Sequence, residues 1–264
     1  MHQQFSNQGR TMKTLHKIVA LAILLTPVIT PVTAFADFIG LSIGAGSWQV
    51  EPEGSIGRTD IDLNSTLNLE REANQFAYIA LEHQVPVLPN IRLQHSDMNW
   101  SGNGLISAGT DLDGNPFVVA EQAEISLDLS HTDATLYYEV LDNVVDLDLG
   151  ITARLFDGEA SLIGATQQQS MVLDATVPLL YGKAGLGLPG TGWHADVAAN
   201  WINVDEFRLV DWSAELSYSF DILPAMDAGI VLGYRSMVID LNDLDELQSD
   251  ATFDGYYVAL QLYF

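Results

Sequence analysis

Apolar side chains recur at every second position through stretch after stretch of this chain. Val145, Leu147, Leu149, Ile151, Ala153 and Leu155 alternate with Asp146, Asp148, Gly150, Thr152 and Arg154. Val210, Trp212, Ala214, Leu216, Tyr218 and Phe220 alternate in the same way with Asp211, Ser213, Glu215, Ser217 and Ser219. Ala228, Ile230, Leu232 and Tyr234 repeat the pattern against Asp227, Gly229, Gly233 and Arg235. A period of two sends successive side chains to opposite faces of a strand, so each stretch has one apolar face and one that carries charge. A half-exposed antiparallel sheet in water would read the same way, so strand length decides. These stretches run for about 10 to 14 residues, against five or six for an average soluble strand, and a tilted strand needs about 9–11 to cross a bilayer.

The connections alternate as well. Short turns rich in Pro, Gly, Asn and Asp fall at 85–90, 141–143, 188–192 and 221–226, while longer loops fall between them at 51–73, 102–122, 157–172 and 241–250. The segment 203–206 is a short exception. Short turns on one rim and longer loops on the other belong to outer-membrane barrels. The expected strands are 38–50, 74–84, 91–101, 123–140, 144–156, 173–187, 193–202, 207–220, 227–240 and 251–264. The fold expected is all-β, a transmembrane antiparallel up-and-down β-barrel of about 10 strands, with 8 or 12 left open. An even count puts both mature termini on the short-turn, periplasmic rim.

The first 36 residues read differently. Lys13 and Lys17 precede an uncharged apolar run, 18–33, that closes on Ala34-Phe35-Ala36, the order of a secretory signal peptide. Pro27 and Pro31 inside the run weigh against a membrane anchor. The expected organisation is an N-terminal extension and cleaved signal over 1–36, with Met12 as an alternative start, and a barrel over 37–264. The 264-residue chain carries a net charge of −25, with 48% hydrophobic residues and no cysteine. Loss of Arg10, Lys13 and Lys17 with the signal leaves 35 acids against 7 bases. Such acidity excludes nucleic acid as a partner, since phosphate binding needs a clustered cationic face. The missing cysteines exclude disulfides and thiolate chemistry.

The last strand carries a second signal. Tyr256, Val258, Leu260, Leu262 and Phe264 form an unbroken apolar face ending on a terminal aromatic. This face resembles the C-terminal assembly signal of Gram-negative outer-membrane proteins. The segments Tyr78-Ile79-Ala80-Leu81-Glu82-His83, 87–95, 128–133, 136–139 and Thr252-Phe253-Asp254-Gly255 resemble a family of small outer-membrane β-barrel proteins. The resemblance implies a place in the outer membrane, with the lipid bilayer, lipopolysaccharide and the barrel assembly machinery as partners. It implies no activity.

Among polar residues, two His-x-Asp pairs stand out, His95-Ser96-Asp97 and His131-Thr132-Asp133. Parity sends His131 and Asp133 to the lumen. It is ambiguous for His95 and Asp97, which share a face with Ile91 and Leu93 unless a bulge intervenes. Imidazole with carboxylate suits a divalent metal or an acid–base pair, against the alternative of a polar network filling a narrow barrel. Asp146, Asp148, Arg154, Asp211 and Glu215 are expected to line the lumen. Asp111 and Asp113, in the fragment Asp111-Leu112-Asp113-Gly114-Asn115, and Asp243, Asp245 and Glu246 are weak candidates for Ca2+ or Mg2+, though acid runs in loops are usually solvated faces. No other cofactor is expected. Three functions follow from these residues. The leading one is a barrel with a structural or narrow, cation-favouring passage role. The second is a surface protein whose acidic loops hold divalent cations or an external partner. The third is a barrel hydrolase acting on lipid A or peptides, whose motifs the chain does not match residue by residue.

Overall fold

The computed structural model describes residues 39–142, 144–223, 226–244 and 247–264, of which 142, 242–244, 247 and 248 are described by their backbone alone. The signal segment expected over 1–36 lies outside the described residues.

Thirteen strands are present among the described residues: β1 (Ile39–Gly57), β2 (Ile61–Asp62), β3 (Glu72–His83), β4 (Asn90–Ser96), β5 (Asn99–Ile106), β6 (Glu121–Asp128), β7 (His131–Asp142), β8 (Val145–Gly164), β9 (Gln168–Gly187), β10 (Trp193–Val204), β11 (Phe207–Leu223), β12 (Met226–Leu244) and β13 (Leu247–Tyr263). Ten of them form a closed ring. Taken in chain order, β1, β3, β4, β7, β8, β9, β10, β11, β12 and β13 each pair antiparallel with the next. β13 then returns to β1, from Ser42 opposite Tyr263 to Gly57 opposite Gln248. The fold is therefore a closed ten-stranded antiparallel up-and-down β-barrel, which leaves no strand edge unpaired around the cylinder.

Two expected strands are each interrupted. The segment expected as 91–101 breaks between β4 and β5, and 123–140 breaks between β6 and β7. Side chains take over the backbone groups that the ladder releases there: Ser130 Oγ accepts from Met98 N at 3.1 Å, Asn74 Oδ1 from Asn99 N at 2.9 Å, and Asp128 Oδ1 from Ser130 N at 2.8 Å. Beyond the break, β5 and β6 form a hairpin that rises past the ring, with β6 still paired to β8. The loops expected at 157–172 and 241–250 are largely extended hairpins, while 51–73 is extended through Gly57 and then turns, with only the short β2 before β3. β1 continues to Gly57, and the β8–β9 ladder runs on to Ile163 opposite Gln168. The apolar alternation stops short of these tips because their outer face is polar, so pairing outlasts the pattern that announces it.

The outward face carries a belt of exposed aliphatic and aromatic side chains, among them Ile79, Leu93, Leu136, Ile151, Leu180, Trp201, Trp212, Leu232 and Leu260. A water-soluble surface rarely presents so continuous an apolar area. The largest buried apolar cluster lies inside the long-hairpin end. Trp48, Val50, Ile61, Leu63, Leu67, Leu69, Met98, Trp100, Ile125, Leu127 and Phe253 are all at most 3% exposed there. Leu112 and Phe117 enter from the 107–120 loop. The β2 region is fastened by Asp62, whose carboxylate accepts from Ser65 N at 2.6 Å and Asn64 N at 3.1 Å. The Ser65 amide and hydroxyl, then the Asn64 amide, hold this carboxyl below its ordinary pKa.

Inside the ring, two tyrosines lie flat across glycines on the neighbouring strand. Tyr78 is directly opposite Gly44, and Tyr257 is opposite Gly233. An added Cβ at either glycine would stand 2.3 Å from the tyrosine ring. The missing side chain is thus what lets a large ring turn along the wall instead of projecting across the lumen.

Candidate functional site

The lumen divides into two levels. The inner level is a charged layer directly beneath the apolar cluster. Arg154, fully buried on β8, donates to Asp133 through Nε at 2.8 Å and Nη2 at 2.7 Å, and Nη2 also reaches Asp211 Oδ2 at 2.5 Å. Arg235 on β12 donates to both oxygens of Asp211, and its guanidinium stands 4.6 Å over the Trp48 ring. Ser96 and His131 close the layer, with Arg235 Nη1 3.4 Å from Ser96 Oγ and Nη2 3.5 Å from His131 Nε2, while His131 Nδ1 sits 3.0 Å from the Leu129 carbonyl. Two cations meet two carboxylates, so a buried layer that would be prohibitive for a lone charge is balanced and hydrogen-bonded.

Beneath this layer lies a cavity of about 560 Å³. Its wall runs from Asp133 and Arg235 down to Leu141, Asp227 and Tyr263, next to the short turns and the last strand's end. Glu82, Glu139, Asp146, Asp148, Asp196 and Glu215 face it, with Arg92 and Lys183 as the nearby permanent cations. Two of the acids are fixed by phenols: Tyr137 Oη donates to Glu82 at 2.8 Å and Tyr257 Oη to Glu215 at 2.6 Å. Arg92 stacks 3.8 Å over the Tyr78 ring and donates to Gln94.

The expected lumen residues all face inward, but their roles separate. Asp146, Asp148 and Glu215 line the cavity. Asp211 and Arg154 belong to the charged layer, where Asp211 is neutralised by two guanidiniums. An acidic ring attracting cations through the lumen therefore does not form at that level. Of the acids behind the cation-favouring expectation, Asp211 is thus already paired, with Arg154 and Arg235.

The two expected His-x-Asp pairs are not one constellation. His131 and Asp133 are buried, at 1% and 5% exposure. His95 and Asp97 point outward with side chains 57% and 51% exposed, and they pair with each other at 3.2 Å. β4 runs regularly through His95, so the bulge invoked to turn this pair inward is not needed; it sits at the polar upper border of the belt, against Thr132. The donor atoms of His131, Asp133 and Asp211 converge within 4.8 Å, but Arg154 and Arg235 already occupy the space between them. Of the loop acids, Asp111 accepts from Gly114 N and Asp113 from Asn115 N, each closing its own turn. Asp245 and Glu246 lie outside the described residues, as does the side chain of Asp243. Tyr256, Val258, Leu260, Leu262 and Phe264 form an outward apolar face on and just beyond β13.

A third His-x-Asp, His194-Ala195-Asp196, escaped the sequence reading although the motif itself was the signal. Both side chains face the cavity. His194 Nε2 is 3.0 Å from Asp146 Oδ2 and 3.1 Å from Asp196 Oδ1, and Lys183 Nζ is 3.2 Å from the same Asp196 oxygen. Asp146 and Asp196 stand on either side of Gly185 in the β8–β9–β10 ladders.

No protein-family model matches the chain, and no curated protein matches it. Several solved barrels are similar in architecture. The outer membrane protease OmpT from Escherichia coli shares 10% identity over 88% of this chain and 98% of its own, with a TM-score of 0.38. The transport unit of the autotransporter AIDA-I from Escherichia coli shares 9% over 89% and 92%, with a TM-score of 0.40. The CymD monoaromatic hydrocarbon channel shares 10% over 86% and 88%, with a TM-score of 0.34. With TM-scores of 0.34 to 0.40 these likenesses carry no argument, and the architecture rests on the strand ladders themselves.

Proposed function

We propose that this chain is an integral outer-membrane barrel that is sealed on its long-hairpin side and offers small cationic solutes a one-ended, acid-lined cavity on its short-turn side. The observation that carries this reading is the stopper: a balanced Arg154–Asp133–Asp211–Arg235 layer capped by a dry apolar cluster containing Trp48, Met98 and Phe253. The membrane setting is supported by the exposed apolar belt around a closed ring, since closure satisfies every backbone group that lipid cannot. The excess of carboxylates beneath the stopper favours cations by charge alone. Free passage along this lumen would require the stopper to come apart.

Recording the purified barrel in planar bilayers tests the proposal. The wild-type protein is expected to show no unitary conductance steps. Steady ohmic steps from the unmodified protein would overturn the sealed reading.

A further inference from the structure

We propose that Asp146, His194 and Asp196 bind one divalent transition-metal ion of the zinc class, seated over Gly185 at the cavity wall. Three donor atoms from β8 and β10 converge there: Asp146 Oδ2, His194 Nε2 and Asp196 Oδ1, all within 4.8 Å of one another. The point of convergence is the space that a side chain at position 185 would fill. A Cβ built on Gly185 would lie 2.6 Å from Asp196 Oδ1, 2.7 Å from His194 Nε2 and 2.9 Å from Asp146 Oδ2. A glycine between two carboxylates across adjacent ladders thus leaves a cradle whose walls are all ligand atoms.

Hydrogen bonding alone accounts poorly for this arrangement. A single imidazole nitrogen carries at most one proton, yet Nε2 stands at 3.0 and 3.1 Å from two different carboxylates. A cation between the three donors satisfies all of them. The charged layer above provides the contrast. His131, Asp133 and Asp211 converge comparably, but two guanidiniums fill the gap and neutralise the acids. Among the described residues the cation in contact with this group is Lys183, which touches Asp196 from one side and leaves the pair of carboxylates in excess.

Nitrogen and carboxylate oxygen together suit zinc and its first-row neighbours, whereas Ca2+ and Mg2+ prefer oxygen alone. Three protein ligands leave a fourth position, which faces the cavity, for water or for a nitrogen or oxygen donor on a solute. His194 is 29% exposed at its side chain, so the site is reachable from the short-turn opening.

The test is calorimetric titration of the full, detergent-folded barrel with Zn2+, in excess Ca2+ to occupy carboxylate-only sites on the hairpins. One saturable equivalent is expected. His194→Ala and Asp196→Asn should each weaken it by at least the roughly 10–100-fold that loss of a supporting contact costs at a metal site. Lys183→Met, which removes the competing charge, should tighten it, and Gly185→Ala should abolish it by placing a methyl where the ligands meet. Heat-modifiable gel migration establishes that each variant is folded, and the visible absorption of Co2+ in place of Zn2+ gives a second readout expected to vanish in His194→Gln. No saturable uptake by the wild type, or uptake unchanged in folded His194→Ala, would overturn the site. Neither result bears on the sealed lumen, which conductance tests separately.

Discussion

Arg235 holds Asp211 side-on, Nε to Oδ1 at 2.8 Å and Nη2 to Oδ2 at 2.7 Å, while Arg154 reaches the same carboxylate from the opposite wall. One carboxylate therefore ties β8 and β12 together across the lumen through β11.

Asp211→Ala is expected to leave two buried guanidiniums short of a partner and to destabilise the barrel by about 3–5 kcal/mol, as loss of one member of a buried ion pair does. Urea unfolding in lipid vesicles, followed by tryptophan fluorescence, measures it. Replacing Arg154, Asp133, Asp211 and Arg235 together with apolar residues of similar volume should cost less than the single change, because no charge is then stranded.

His95→Ala removes an exposed pair with Asp97 and should change stability by less than about 1 kcal/mol. His131→Ala opens a gap beside Phe156 and releases the Leu129 carbonyl, at an expected cost of about 1–3 kcal/mol. Equal effects in the same unfolding assay would contradict the opposite orientations of the two pairs.

Gly233→Ala should push the Tyr257 ring off the wall and break its bond to Glu215, lowering stability by about 1–3 kcal/mol. The double variant Gly233→Ala with Tyr257→Ala should recover part of the folded band on a heat-modifiability gel, since the obstructing ring is then gone.

At Asp62 the sign of the pH response follows from a lowered carboxyl pKa. The turn at residues 62–65 is fully supported above the ordinary carboxylate pKa of about 3.9, and its support drains as pH falls through the lower, folded value. Amide exchange at Asn64 and Ser65 should quicken in Asp62→Asn above that range, and the difference between variant and wild type should shrink in acid.

Strand identity and facing were legible because an apolar outer belt and a polar lumen impose a strict period of two, as in Val145 to Leu155. The hairpin extensions were not, since Glu159, Ser161 and Gln168 have water outside and lose the contrast. Parity speaks to the face of each residue, and Asp133, Asp148 and Glu215 line the cavity while His131 is buried. It gave no access to partners: Arg154 and Arg235 lie 57 and 24 residues from Asp211 in sequence, and only the closed ring brings both to it. The Gly185 cradle was invisible for a related reason. An absent side chain becomes informative once Asp146 and Asp196 are known to flank it.

The seam between β1 and β13 gives the molecule an order of construction. Every other ladder in the ring joins strands that follow one another in the chain, apart from β4 and β7, which only the β5–β6 hairpin separates, and can form as the polypeptide arrives. The seam joins Ser42 to Tyr263, and Leu41 exchanges both backbone bonds with Phe264. Nine pairings can be in place while the cylinder is still an open ribbon with two wet margins. The pairing of β1 with β13 is what makes it a tube, so a barrel without the β12–β13 hairpin has no seam to shut.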